Sequence, residues 1–163
     1  MTEPEGNDMP VTAVEAPTTI HRGEEEMPWA DAGGGIELKV LMVRDDEGLW
    51  IVRNRFAPGV VIQTHRHTGP VYAHTLSGAW KYLEYPEVNR AGSFLFEPAG
   101  SVHTLATPDD NTEPTDVWFQ IHGVNLNLNA DGNVESITDG PGVLAVYYAM
   151  CEAQGLPRPN VVT

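Results

Sequence analysis

Thr64-His65-Arg66-His67 and Pro98-Ala99-Gly100-Ser101-Val102-His103 are the stretches from which the fold is read. Histidines at i and i+2 point to one face of a strand, about 7 Å apart along the backbone, so both rings of the first stretch reach one ion. A third donor must come from elsewhere in the chain. His103 supplies it, just after a Pro and Gly turn that re-aims the following strand. Three neutral imidazole nitrogens form a donor set for a divalent transition metal.

The surrounding pattern is all-β. From Ile36 onward, short runs of alternating apolar and polar residues are separated by Gly, Pro, Asn and Asp at intervals of about ten. The pattern predicts strands over 36–44, 49–56, 60–66, 71–76, 79–85, 93–97, 102–106, 115–122 and 125–128. Asp45-Asp46-Glu47-Gly48 and Asn129-Ala130-Asp131-Gly132-Asn133 supply turn residues that tolerate positive φ. Such spacing favours a sandwich or a jelly roll. One helix is predicted near the end, where Val143, Val146, Tyr147 and Met150 share a face that Leu144, Tyr148 and Cys151 extend. Asp139 caps it, Pro141 suits its first turn, and Gly155 and Pro157 end it.

At 163 residues the chain fits one domain, expected over 19–163 behind a flexible acidic N-terminal tail at 1–18. Nine Lys and Arg stand against 23 Asp and Glu, a net charge of -14. That field repels phosphate backbones and anionic lipid, so neither nucleic acid nor a membrane is an expected partner. The single cysteine, Cys151, cannot build a disulfide framework, and no leader or long apolar run is readable, so a cytoplasmic location is expected.

Gly59, five residues, His65-x-His67 and then Gly78 resemble the first cupin motif in spacing. Gly92, five residues, Pro98-x-Gly100, two residues and His103 resemble the second motif more closely. The resemblance spans roughly Leu38 to His122 and implies the cupin double-stranded β-helix, a jelly-roll barrel, here with a C-terminal α-helix. Many cupins place a metal-binding glutamate after three further residues, where this chain has Val71; Thr107 replaces the asparagine that often closes the second motif. Edge strands of cupins are often paired between subunits, which implies a homodimer or homotetramer.

Within the cupins, the stretch from Arg53 to Thr104, including Trp80-Lys81-Tyr82-Leu83-Glu84-Tyr85-Pro86, resembles 2,4'-dihydroxyacetophenone dioxygenase and acetylacetone dioxygenase. Those families hold non-haem Fe(II) on three histidines and cleave a carbon–carbon bond with O2. The resemblance implies the same class here: Fe(II) on His65, His67 and His103, a small ketone substrate and O2 as partners. Three neutral donors leave up to three positions open, and an α-hydroxyketone or β-diketone that chelates as its anion replaces the missing carboxylate. Imidazoles also take zinc, nickel and manganese, so the donors alone do not name the metal.

Glu97, six residues before His103, resembles a glutamate that lies beside the metal in acetylacetone dioxygenase. Its expected role is to hydrogen-bond a ligating imidazole or to accept the substrate's proton, with Glu84 as its rival and with Tyr72 and Tyr82 as alternative phenols near bound substrate. His74 is expected to face away from the ion; the inward face of the strand bearing Gln120 and His122 stays open. Trp80, Tyr82, Phe94, Phe96, Trp118 and Phe119 are read as core with the capacity to shape an aromatic pocket. Two rival functions are carried forward. One is a non-catalytic metal sensor of the kind found in anti-sigma regulators, and the other is a thiol dioxygenase.

Overall fold

The computed structural model describes residues 17–163, so most of the tail expected over 1–18 lies outside the described residues. The strands are β1 (Ala30–Gly33), β2 (Ile36–Arg44), β3 (Leu49–Phe56), β4 (His65–His67), β5 (Val71–Ser77), β6 (Ala79–Tyr82) and β7 (Asn89–Arg90). They continue with β8 (Phe94–Glu97), β9 (Val102–His103), β10 (Leu105–Ala106), β11 (Thr115–His122), β12 (Asn125–Leu128) and β13 (Val134–Thr138), before helix α1 (Gly140–Ala153).

Three antiparallel sheets build the jelly roll. One has six strands in the order β1-β2-β3-β11-β5-β8, one has four as β13-β12-β4-β9, and one has three as β10-β6-β7. Alternation sorts the side chains: Trp50, Val52 and Phe56 of β3, Val117, Phe119 and Ile121 of β11, and Val71 and Ala73 of β5 enter the core. Trp80 is fully buried, and its indole N–H donates to Thr75 Oγ1 at 2.9 Å. On the other side of the large sheet, Lys39 is 1% exposed, pairs with Glu24 at 2.7 Å and lies over the Trp29 ring.

Helix α1 starts where expected. The Asp139 carboxylate accepts from the Gly142 N–H at 2.7 Å, and Pro141 sits in the first turn. Tyr147 and Cys151 are buried, and the Tyr147 hydroxyl donates to the Pro28 carbonyl. Val146 is 54% exposed, a correction to the expected face: at 100° per residue the stripe centred on Tyr147 and Cys151 leaves it outside. Among the described residues no helix is long and apolar enough to cross a membrane.

Several strands depart from the sequence pattern for local reasons. Over 60–66 only His65–His67 forms a strand, while Ile62 N–H donates to Leu105 O and Val60 N–H to the Thr107 hydroxyl in an irregular ladder. The strand expected over 79–85 stops at Tyr82, where Tyr85 N–H turns back to the Tyr82 carbonyl ahead of Pro86. The run 102–106 divides at Thr104, because His103 pairs with β4 in one sheet and Leu105 with β6 in another. Short β1 and β7, and β13 with its mostly exposed residues, carry too little apolar alternation to be read.

The motif glycines earn their places by backbone conformation: Gly59, Gly78, Gly92 and Gly100 all have positive φ, from 70° to 89°. Their surroundings differ. A Cβ on Gly78 would lie 2.6 Å from Thr115 Cα, whereas a Cβ on Gly92 meets nothing within 4 Å. Gly92→Ala is therefore expected to cost about 1–2 kcal/mol for the left-handed backbone alone, and Gly78→Ala distinctly more. Urea unfolding of the two variants tests the order, and equal losses would reject the close approach at Thr115.

Candidate metal centre

β4 points His65 and His67 inward, 8% and 3% exposed, and leaves Arg66 in solvent. His103, 1% exposed, stands directly across from His65 in the β4–β9 register. The three rings have centroids 4.8 to 5.0 Å apart, and the histidines form a group able to hold a metal ion. The sheet change at Thr104 aims His103. Thr104 N–H donates to Glu84 Oε2 at 2.9 Å, and its hydroxyl meets that of Thr64 at 2.7 Å. His65 Nδ1 lies 2.9 Å from the Gln63 carbonyl, which leaves Nε2 free to face an ion. Burial lowers the His65 pKa to about 4 against that backbone contact, so the ring is neutral and has a lone pair to offer.

Glu97 ends β8 at 3% exposure. Its Oε2 is 3.0 Å from His67 Nε2 and 3.0 Å from His103 Nε2. Its Oε1 accepts from the Tyr82 hydroxyl at 2.5 Å, and the Tyr82 ring stacks on His103 at 3.8 Å between centroids, 14° between planes. Burial alone would raise the Glu97 pKa, and the adjoining His103 and His67 rings act to lower it. Burial, and then the Glu97 charge, push the Tyr82 phenol well above its usual range, so it stays a donor. Glu84 is exposed and occupied with Thr104 N–H.

The buried Glu97 Oε2 and His103 Nε2 have no hydrogen-bond partner, although they lie 3.0 Å apart. Buried polar atoms are rarely left so. Their alignment is wrong for a bond to each other, and a cation held by both, off the line that joins them, satisfies both. The residues present thus fit a divalent metal.

A cavity of about 230 Å³ opens beside the rings, walled by apolar residues such as Leu38, Val52, Phe56, Ile62 and Leu105. Asn125 is a residue that the motif reading missed. It stands across from His67 in the β12–β4 register, lines the cavity, and keeps a buried Oδ1 without a partner. Inward alternation on a strand beside the histidine pair was its one available signal.

The remaining candidates divide by face. His74 is exposed, turned from the rings as expected. Phe119 and Ile121 line the cavity, which puts Gln120 and His122 on the other face, where their side chains meet at 3.0 Å. Phe94 and Phe96 are 67% and 51% exposed and pack on Tyr72, a correction to their reading as core or pocket, because β8 contributes only Leu95 and Glu97 inward.

Jelly roll and histidine trio together define a cupin. The chain matches the ChrR cupin-like domain family over residues 18–122 and belongs to that family. It is similar to a protein of unknown function with a cupin-like fold from Ralstonia eutropha JMP134, at TM-score 0.79 and 32% identity over 88% of this chain and 96% of that one. An RmlC-like cupin from the same organism gives TM-score 0.82 and 23% identity over 90% of this chain and 95% of that one. An acetylacetone dioxygenase from Acinetobacter johnsonii gives TM-score 0.70 over 83% of this chain and 93% of that one, and at 15% identity the likeness is one of fold. No curated protein matches.

Tyr82→Phe keeps the ring on His103 but leaves Glu97 Oε1 buried without its donor, at an expected cost of about 1–3 kcal/mol. Urea unfolding of the chelator-treated variant measures it. An unchanged midpoint would mean that the phenol does not hold the carboxylate.

Proposed function

We propose that the chain is a non-haem Fe(II) dioxygenase that cleaves a carbon–carbon bond of a small chelating ketone with O2, the ketone being an α-hydroxyketone such as a hydroxyacetophenone, or a β-diketone. The observation that carries this reading is the cluster of three buried imidazoles, two of which, His65 and His67, line a small, largely apolar cavity. His65, His67 and His103 hold the iron, which when bound supplies Lewis acidity toward the ketone and redox chemistry toward O2. Both atoms of O2 end in the products, two carboxylic acids from an α-hydroxyketone or one acid and one 1,2-dicarbonyl compound from a β-diketone, so no external reductant is needed.

The protein's own part is binding and orientation. At about 230 Å³ the cavity is smaller than the roughly 300–1,000 Å³ typical of drug-sized ligands, which suits a small substrate. Asn125 offers its unpartnered Oδ1 as an acceptor to a donor group of that substrate, and the walls around it are largely apolar. Tyr82 and Glu97 border the reacting end, the phenol fixing the carboxylate.

A second reading is a metal-binding domain without catalysis, kept because the family that the chain matches is described as a ChrR cupin-like domain. Thiol oxidation is the poorer fit. No Lys or Arg stands among the described residues that line the cavity, and Cys151 is buried on the inward face of α1. We also retain the homodimer or homotetramer, supported by the edge strand β8 and its exposed Phe94 and Phe96.

The deciding experiment is to measure the metals of the purified protein, reload it anaerobically with Fe(II), and follow O2 uptake with 2-hydroxyacetophenones, 1,3-diketones and thiols. One O2 consumed per ketone is expected, with two carboxylic acids from a 2-hydroxyacetophenone or one acid and one 1,2-dicarbonyl compound from a 1,3-diketone. No uptake with any of them, while the protein as purified carries stoichiometric zinc, would replace the dioxygenase by the sensor. His103→Ala is expected to weaken Fe(II) binding by more than about 100-fold, beyond the 10–100-fold of second-layer changes. Retained iron in that variant would reject the three-histidine site.

A further inference from the structure

We propose that Glu97 is itself a metal donor, standing in from the neighbouring strand for the carboxylate that is absent at Val71. The inference rests on the reading that His65, His67 and His103 hold a divalent ion.

Three observations carry it. First, Val71 and Glu97 are direct cross-strand partners in the β5–β8 register. Residues so opposed share a face with Cβ atoms about 4.5–5.5 Å apart, so a glutamate at 97 reaches the space that one at 71 would fill. Moving the carboxylate one strand sideways leaves it inside the barrel, where Val71 is fully buried and Glu97 3% exposed.

Second, Glu97 Oε2 lies 3.0 Å from Nε2 of both His67 and His103, yet it makes no hydrogen bond. Donors about 2.1 Å from a shared ion and at right angles around it lie about 3.0 Å apart, whereas tetrahedral donors lie about 3.4 Å apart. The spacing to the two rings is thus that of fellow ligands on adjacent corners of an octahedral site. Third, the other oxygen is held. Tyr82 donates to Oε1, which turns Oε2 alone toward the imidazoles, as the outer partner of a ligating carboxylate does.

The donor set becomes three neutral nitrogens and one carboxylate. The formal charge at a divalent ion falls from +2 to +1, and two octahedral positions stay open rather than three. A ketone anion then meets a less positive ion.

Metal binding tests this without substrate or O2. The full-length apoprotein and the variants Glu97→Gln, Glu97→Val and Val71→Glu/Glu97→Val are titrated with Co(II) by visible absorption and by competition with a chromophoric chelator, after circular dichroism has checked each fold. The expected result is a changed Co(II) spectrum with at least 100-fold weaker binding in Glu97→Val, a changed spectrum in Glu97→Gln, and recovery to within about tenfold in the double variant, whose carboxylate sits at position 71. A wild-type Co(II) spectrum in Glu97→Gln, at any affinity, overturns the proposal and returns Glu97 to the layer behind the ligands. Wild-type protein that binds no Co(II) overturns the three-histidine site together with it, so the two failures are distinct.

Discussion

The Glu97 carboxylate is the constraint around which the barrel is organised. A charge 3% exposed carries a desolvation cost of several kcal/mol unless its partners are placed to offset it. Here they come from every sheet. Glu97 belongs to the six-stranded sheet, His67 and His103 to the four-stranded one, and Tyr82 to the three-stranded one. No single sheet can make this site. Closing the barrel and assembling the carboxylate's surroundings are one event, which ties the chemistry to the fold more tightly than a loop-borne site would be.

Thr104 is the joint that allows it. The chain leaves the four-stranded sheet at His103 and enters the three-stranded sheet at Leu105, and the freed Thr104 N–H is taken by Glu84. A strand that continued straight would keep its alternation and present His103 at the same pitch along one sheet. The break lets His103 face β4 while Leu105 packs beside Tyr82. The outer face of the large sheet is sealed separately, by Glu24 and Trp29 over Lys39 and Arg53, so the N-terminal segment from about Glu24 belongs to the fold.

What could be read in advance follows from which interactions are local. Strands 36–44, 49–56, 115–122 and 125–128 match the structure residue for residue, because their alternation and bounding turns lie within each segment. The histidine trio was legible for the same reason, as an i and i+2 pair plus a turn-fixed third. Sheet changes, edges and cross-strand neighbours were not. The split at Thr104, the exposure of Phe94 and Phe96, and Asn125 beside His67 each depend on which strand lies alongside, and alternation along one strand carries no such information. Val71 shows the limit most plainly. Sequence displays the absence of a carboxylate there, and only the register displays Glu97 beside it.

Electrostatics bear on what such a site can admit. With a net charge of -14 the protein's field disfavours anions at a distance, and no Lys or Arg among the described cavity residues offers them a local partner. Burying an unpaired carboxylate or phosphate in apolar walls is costly, so away from the histidines the cavity favours a neutral ligand. A ketone with an acidic α-hydroxyl or methylene group meets that condition. In the dioxygenase reading, it crosses the apolar wall uncharged and gives up its proton beside the cation that compensates the new charge. Asn125 fits the same logic, since a carboxamide binds neutral polar groups without demanding an opposite charge. Substrate selection in the dioxygenase reading therefore comes from the order of events, with desolvation first and ionisation second, rather than from a charged recognition group in the cavity.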